Sequence, residues 1–400
     1  MLEFRAIAGV RHTAAHMCGR RALAALLVLG LASPALSQSR PEIAEMSIEE
    51  LMSIDITSVS RREQPASDAA AAVFVITHDD IRRSGMKTIP DLLRLAPGMN
   101  VAQLNANKWA VSSRGFNGVF ANRLLVLVDG RSIYNRLFGG VLWDIGDLPM
   151  DDIDRIEVIR GPGAALWGAN AVNGVINIVT RPAGDTSGGL VRLEQGNAGQ
   201  QGSLRYGGQL GTGAYRVYGQ WTGSGESVTT TGQLAGDDAH SITTGFRADW
   251  STAPGNFMLQ GDATVGSVRA MWSNMDPLTV TVRPFATEAS DTRAGHVLGR
   301  WTHARASGGS LQIQTFADFA DRQEPVGRYR RQAFDIDTQY QVGVGASRLR
   351  VRQRLPVHWR AFRWRHWFLH DAGGGSIVAR NRVRAGRDQR VVGPCDVHAR

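Results

Sequence analysis

Ala214-Tyr215-Arg216-Val217-Tyr218-Gly219-Gln220-Trp221-Thr222 alternates strictly. Tyr215, Val217, Gly219 and Trp221 share one face, and Arg216, Tyr218, Gln220 and Thr222 share the other. A period of two marks a β-strand whose faces meet different surroundings. The pattern returns downstream. Ile242, Thr244, Phe246, Ala248 and Trp250 oppose Arg247 and Asp249; Phe257, Leu259, Ala263 and Val265 oppose Gln260, Asp262 and Thr264. Leu311, Ile313, Ala317 and Phe319 oppose Gln312, Gln314 and Asp318; Phe334, Ile336, Tyr340 and Val342 oppose Asp335, Asp337, Gln339 and Gln341. Strands of ~10 residues with one polar face and aromatic ends suit a transmembrane barrel, with a wet lumen and a lipid-facing outside. A soluble β-sandwich is the competing reading of the alternation alone.

Gly211-Thr212-Gly213 and Ser251 to Asn256 read as short periplasmic turns, and 223–239 and 266–294 as external loops. Upstream, residues 63–182 read as a small α+β domain. Ala72 to Thr77 is a short strand, Ser84-Gly85 ends a turn of helix, and Thr88 to Leu93 begins another with Pro90 early in it. Leu124 to Val128 is a continuous apolar strand closed by the Asp129-Gly130 turn. Ile153 to Ile159 and Gly174 to Thr180 are two more strands.

The N-terminus has the parts of a secretory signal over residues 1–37. Arg20 and Arg21 precede the apolar run Ala22 to Ala32, and Ala35-Leu36-Ser37 is a small-x-small cleavage pattern. Met17 is a second possible start. Residues 38–62 follow with a short helical pattern and then Ile54 to Ser60, β-branched and alternating. Cys18 and Cys395 are the only cysteines, so 38–350 hold neither a disulfide nor a thiolate metal site. The net charge of +9 sits at the two ends, leaving a near-neutral middle, which removes the main support for nucleic acid as a partner. After residue 37 no apolar stretch approaches the ~20 residues of a membrane helix, so insertion would be as a barrel.

Gly161-Pro162-Gly163 with Gly168 fails as a phosphate loop, having no Gly-Lys-Ser/Thr and no dinucleotide spacing. No nucleophile elbow or HExxH occurs, so no catalytic constellation, cofactor site or metal site is expected. Three stretches in order carry a resemblance instead. They are Leu127 to Tyr134, Ile153 to Gly163, and Leu166 to Thr180, with Ser113-Arg114-Gly115-Phe116 upstream. Over about residues 54–182 the chain resembles the plug of TonB-dependent outer-membrane receptors, with weaker barrel similarity to about 350.

The resemblance implies a plug inside a barrel of about 22 strands in the cell outer membrane. It implies energised uptake of a scarce nutrient complex: a ferric siderophore by first expectation, a cobalamin or haem otherwise. A TonB-type energy-transducing protein would pull on Ile56, Thr57, Ser58, Val59 and Ser60, which could add a strand to the partner's sheet. The plug's outward loops would offer Asn105, Asn107, Lys108, Trp109 and Asn117, then Asn135, Arg136, Phe138 and Trp143, to a metal chelate or vitamin. Arg155, Glu157 and Arg160 are expected to pair with lumen side chains.

Two departures accompany the resemblance. Residues 188–350 hold about eight strands at ~10 residues each, so the expected fold is an α+β plug followed by an apparently truncated antiparallel transmembrane β-barrel. A non-transporting periplasmic interaction protein, or an inactive receptor, is the alternative. Residues 351–400 crowd Arg, His and Trp together, as in Trp359 to Trp367. Alternation is expected to stop near Val351, and the tail to form no barrel strands. It reads as an out-of-frame segment or as a basic tail for anionic lipid.

Overall fold

The computed structural model describes most residues from Ala72 to Trp364, with short pieces at Asp55–Ile56, Gln64–Pro65, Leu369–His370, Ser376–Ile377 and Asp396–Ala399. The signal peptide and N-terminal helix expected over residues 1–54 lie outside the described residues, as do Thr57 to Ser60, Arg136 and Phe138. Asp55–Ile56 (β1) and Gln64–Pro65 (β2) form a minimal antiparallel pair.

Residues from Ala72 to Thr180 fold as the α+β unit. Ala72–Thr77 (β3) leads into His78–Ser84 (α1). Thr77 and Asp80 form a reciprocal capping box, and Gly85 ends the helix at φ 66°. Ile89–Leu92 (α2) starts at Thr88, whose hydroxyl accepts from the Asp91 N–H, with Pro90 in the first turn. Met99–Gln103 (β4) and Trp109–Ser113 (β5) make a hairpin that alternation did not announce. Leu124–Val128 (β6), Arg131–Ser132 (β7), Ile153–Arg160 (β8) and Gly174–Thr180 (β9) complete the main sheet, in the order β3-β8-β9-β6-β7. Only the β6–β9 pair is parallel among these. Ile76, Leu92, Leu93, Ile153, Ile156, Ile176 and Ile178 are fully buried in its core. Each contributes about 1.5–3 kcal/mol by leaving water. Strands β8 and β9 approach closely enough that a Cβ on Gly174 would lie 2.6 Å from the Ile159 carbonyl oxygen.

From Gly188 the chain forms one open antiparallel sheet of long strands. These are Gly188–Gly196 (β10), Gly199–Leu210 (β11), Gly213–Ser224 (β12), Ala239–Thr252 (β13) and Gly255–Ala270 (β14). A side hairpin, Ser273–Asp276 (β15) with Thr281–Pro284 (β16), follows in a loop. Glu288–Ala304 (β17), Ser310–Glu324 (β18), Gly327–Val344 (β19) and Ser347–Trp364 (β20) continue the sheet. Each pairs with its sequence neighbour, and β10 and β20 do not meet.

Burial on this sheet is inverted relative to a soluble protein. Val191, Leu193, Val217, Trp221, Ile242, Phe246, Val265, Val297, Phe319 and Phe334 are exposed. Arg216, Gln220, Thr243, Arg247, Gln260, His296, Gln314 and Asp335 are buried against the plug side. An apolar outer band and a polar inner face are what a lipid-facing wall requires. The expected face assignment of β12 holds residue by residue.

The expectation that no barrel strand forms after Val351 is corrected. Strand β20 runs to Trp364 and pairs with β19 along its whole length. Register gives the reason. Val351 lies opposite Tyr340 and Leu355 opposite Ile336, so both share the outer face of the sheet. The strand Asp396–Ala399 pairs with Leu349–Arg352. The readings of the remaining tail, 365–400, fall mostly outside the described residues.

Candidate functional site

The plug is fastened to the wall by charge, strand by strand. Asp151 meets Arg192 of β10 at 2.8 Å. Asp152, 1% exposed, meets Arg205 of β11 at 2.6 Å and Arg216 of β12 at 3.4 Å. Arg247 of β13 donates to the Thr180 carbonyl at 2.9 Å, and Gln260 of β14 donates to Asp129 at 2.8 Å. Arg300 of β17 donates to the Asp129 carbonyl. Arg322 of β18 meets Asp144 at 2.8 Å, and Arg331 of β19 donates to the Tyr134 carbonyl at 3.2 Å. In these contacts the wall supplies guanidiniums and the Gln260 amide; the plug supplies carboxylates and carbonyls. Arg155 bonds Asp154 at 2.6 Å and Glu157 at 2.8 Å within its own strand.

Asp129 is the centre of the seat. Its φ of +48° is the left-handed conformation that Asp tolerates better than most residues. Its carboxylate accepts from Thr180 N at 3.0 Å, Thr180 Oγ1 at 2.8 Å and Gln260 Nε2 at 2.8 Å. Burial alone would raise its pKa. The Arg247 and Arg300 guanidiniums outweigh that, with help from the Thr180 and Gln260 bonds, and hold the carboxyl below the ordinary range. Nothing local marks this residue in the sequence, because its partners arrive from strands far along the chain.

The β4–β5 tip, residues 104–108, sits at the loop end of the sheet. Asn105 Oδ1 accepts from the Asn107 and Lys108 N–H groups and shapes the turn. Asn107 is 6% exposed, and its amide donates to the carbonyls of Asp237 and Arg269 at 2.7 and 2.8 Å. Trp109 packs into the plug core, with the Arg94 guanidinium 5.8 Å from its ring centroid. Trp143 is half-buried against the same core, and Asn117 is exposed. A crevice of about 340 Å³ lies between plug and wall here. Lys87, Asn107, Trp109 and Trp143 line its plug side; Gln200, Gln201, Thr222, His240 and Ser241 line its wall side. Asn107, Trp109 and Trp143 thus come together. Lys108 is on the same tip, while the crevice lining does not include Lys108 or Asn117. Lys87 and the wall amides were missed, since inward dyad residues look alike until strands are registered.

The chain's relatives agree with this architecture. The family described as TonB-dependent Receptor Plug Domain matches residues 65–175. The chain is similar to the vitamin B12 transporter BtuB of Vibrio vulnificus strain CMCP6, 36% identical over 148 residues, covering 36% of this chain and 23% of that protein. BtuB of Vibrio cholerae El Tor Inaba N16961 is likewise 36% identical over 142 residues. The chain therefore spans about a quarter of the length of these curated relatives. Among solved structures, FpvAI in complex with pyocin S2 superposes at a TM-score of 0.64 with 16% identity, covering 94% of this chain and 55% of that one. The siderophore receptor PiuA of Acinetobacter baumannii superposes at 0.60 with 15% identity, covering 83% and 52%. At such identities the likeness speaks for the fold alone. With a matching plug over residues 65–175, a lipid-type outer face and a charged seat between them, the chain carries a plug domain of the TonB-dependent receptor kind. It is a protein of the outer membrane.

Proposed function

We propose that the chain is the plug and adjoining wall of a receptor for energised uptake of a scarce metal chelate or vitamin complex. The observation that carries this reading is the crevice between plug tip and wall. It combines two indoles, several amides and hydroxyls, the Lys87 ammonium, the Asp91 and Asp144 carboxylates and the His240 imidazole, which suits a bulky polar complex better than a small ion. A ferric siderophore and a cobalamin both meet that description. The test is binding of labelled ferric siderophores and cyanocobalamin to outer-membrane vesicles carrying the chain. One of these is expected to bind saturably, and Trp143→Ala to weaken it by at least about tenfold while membrane assembly persists. No saturable binding of any chelate or corrinoid would defeat the reading.

The energy-transducing partner would take Ile56 to Ser60 as an added strand. Asp55–Ile56 is already extended, and among the described residues it pairs with Gln64–Pro65 over two positions, which supports easy transfer to another sheet. Thr57→Pro removes a ladder donor. It is expected to lower affinity for a TonB-type C-terminal domain at least about tenfold in titration calorimetry. Equal affinity would move the contact elsewhere. A second reading, a non-transporting interaction protein, draws on the edge strand Gly188–Gly196, which pairs on one side only among the described residues. Binding without energised uptake would favour it.

A further inference from the structure

Residues 225–238 link β12 to β13 at the loop end and fold as a small hairpin of their own. Thr229 N donates to the Gln233 carbonyl at 2.8 Å, Ala235 N to the Ser227 carbonyl at 2.9 Å, and Val228 bridges Leu234. Val228 and Leu234, at the far end, are 65% and 69% exposed. The base of this hairpin is Asp237, 1% exposed. One carboxylate oxygen accepts from Ser227 N at 2.7 Å. The other accepts from Ser227 Oγ at 2.5 Å and from Ala106 N at 2.8 Å. Its carbonyl accepts from the Asn107 amide, which also reaches the Arg269 carbonyl at the end of β14. The Arg269 N–H in turn donates to the Asp238 carbonyl at 2.8 Å. Plug tip, outer hairpin and strand end therefore share one knot.

We propose that Asp237 is a positioning residue that locks the plug tip to the outer 225–238 hairpin, so that displacement of the tip is transmitted to the surface. Ala106 and Asn107 both line the crevice, so a ligand seated there presses on the residues that Asp237 holds. The consequence for uptake rests on the function proposed above; the mechanical link does not. The hairpin has internal hydrogen bonds, so loss of its base lets it swing as a unit rather than unravel. Burial would raise the Asp237 pKa, but the donors from Ala106 and Ser227 outweigh it and keep the carboxylate ionised.

Amide hydrogen exchange of the chain in outer-membrane vesicles, without ligand, tests the link. Asp237→Ala is expected to speed exchange at least about tenfold both in the tip, 104–108, and in the hairpin, 227–235. Asn107→Ala is expected to speed both as well, although it lies outside the hairpin. Thr229→Ala, which loses bonds only to Thr231 and Gln233 inside the hairpin, should loosen the hairpin and leave the tip unchanged. If Asp237→Ala fails to assemble, Asp237→Asn reads the same link, since it keeps the shape and weakens the acceptors. A tip that exchanges at the original rate in Asp237→Ala or Asp237→Asn, or a hairpin unmoved by Asn107→Ala, overturns the proposal. Because no ligand is present, that failure would leave the uptake reading standing. Failure of chelate binding would equally leave this link intact.

Discussion

Asp129→Ala is expected to release the plug from the wall at a cost of about 3–5 kcal/mol, because it removes the anion from a buried charged cluster. Three donors lose their acceptor at once: Thr180 N, Thr180 Oγ1 and Gln260 Nε2. Arg247 keeps Asp249 at 2.8 Å and the Thr180 carbonyl, and Arg300 keeps Gln314 at 2.9 Å, but both lose the charge they face. Asp129→Asn separates charge from backbone strain, since Asn also tolerates the left-handed conformation. It should recover the turn and part of the hydrogen bonding, and so lose less. The measurement is urea-dependent proteolysis of the plug with the wall as internal reference. Equal stability of wild type and Asp129→Ala would show that the seat is held elsewhere.

The sign of the pH dependence follows from the depressed pKa. A carboxyl whose folded pKa lies below its ordinary 3.8 stabilises the folded form above that value. The stabilisation is lost as pH falls from the ordinary value through the folded one. Plug release should therefore be flat between about pH 5 and 8 and rise only below about pH 4. Asp129→Asn should remove Asp129's share of that acid response. Release that begins near pH 6.5 would point to a histidine instead.

Different physical signals explain what could be read from residues alone. Plug strands such as Leu124–Val128 and Gly174–Thr180 are buried on both faces, so each appears as a continuous apolar run. Wall strands separate lipid from lumen, so alternation assigns their faces directly. Strand β4 carries Asn100 and Gln103 among half-buried and exposed positions, and the fully buried β5 ends in Ser112 and Ser113, so neither strand reads as an apolar run or an alternation. The β20 arginines looked faceless because charge was weighed by density rather than by position. Pairing with β19 sets Val351 opposite Tyr340 and Leu355 opposite Ile336, a register that residue density does not disclose. Of the ligand candidates, Asn107 and Trp109 are packed into contacts that hold the tip, a dual use that residue type cannot disclose. The seat was least legible, since Asp129 acquires meaning only when β13, β14 and β17 are brought round it.

Neighbouring aspartates in one turn sharpen the same argument. Asp152→Ala is expected to destabilise the plug–wall seat by about 3–5 kcal/mol, whereas Asp151→Ala should change it by under about 1 kcal/mol. Both residues belong to the one-turn helix Met150–Asp152 and both meet wall arginines. Their surroundings differ. Asp151 and Arg192 keep 22% and 34% of their side-chain surface in solvent, which screens the pair and lets water replace either partner. Asp152 and Arg216 keep 2% and 3%, and Arg205 keeps 12%. Removing Asp152 therefore leaves two guanidiniums facing a site that water reaches poorly. Arg216 retains its bond to the Arg181 carbonyl, at 2.6 Å. The backbone of the turn should survive, because the Arg181 N–H to Asp152 carbonyl bond does not depend on the side chain. Urea midpoints for plug release in the two single variants provide the comparison. Similar small shifts in both would mean that burial does not set the strength of the seat, and the strand-by-strand charge pattern would then be packing without mechanical consequence.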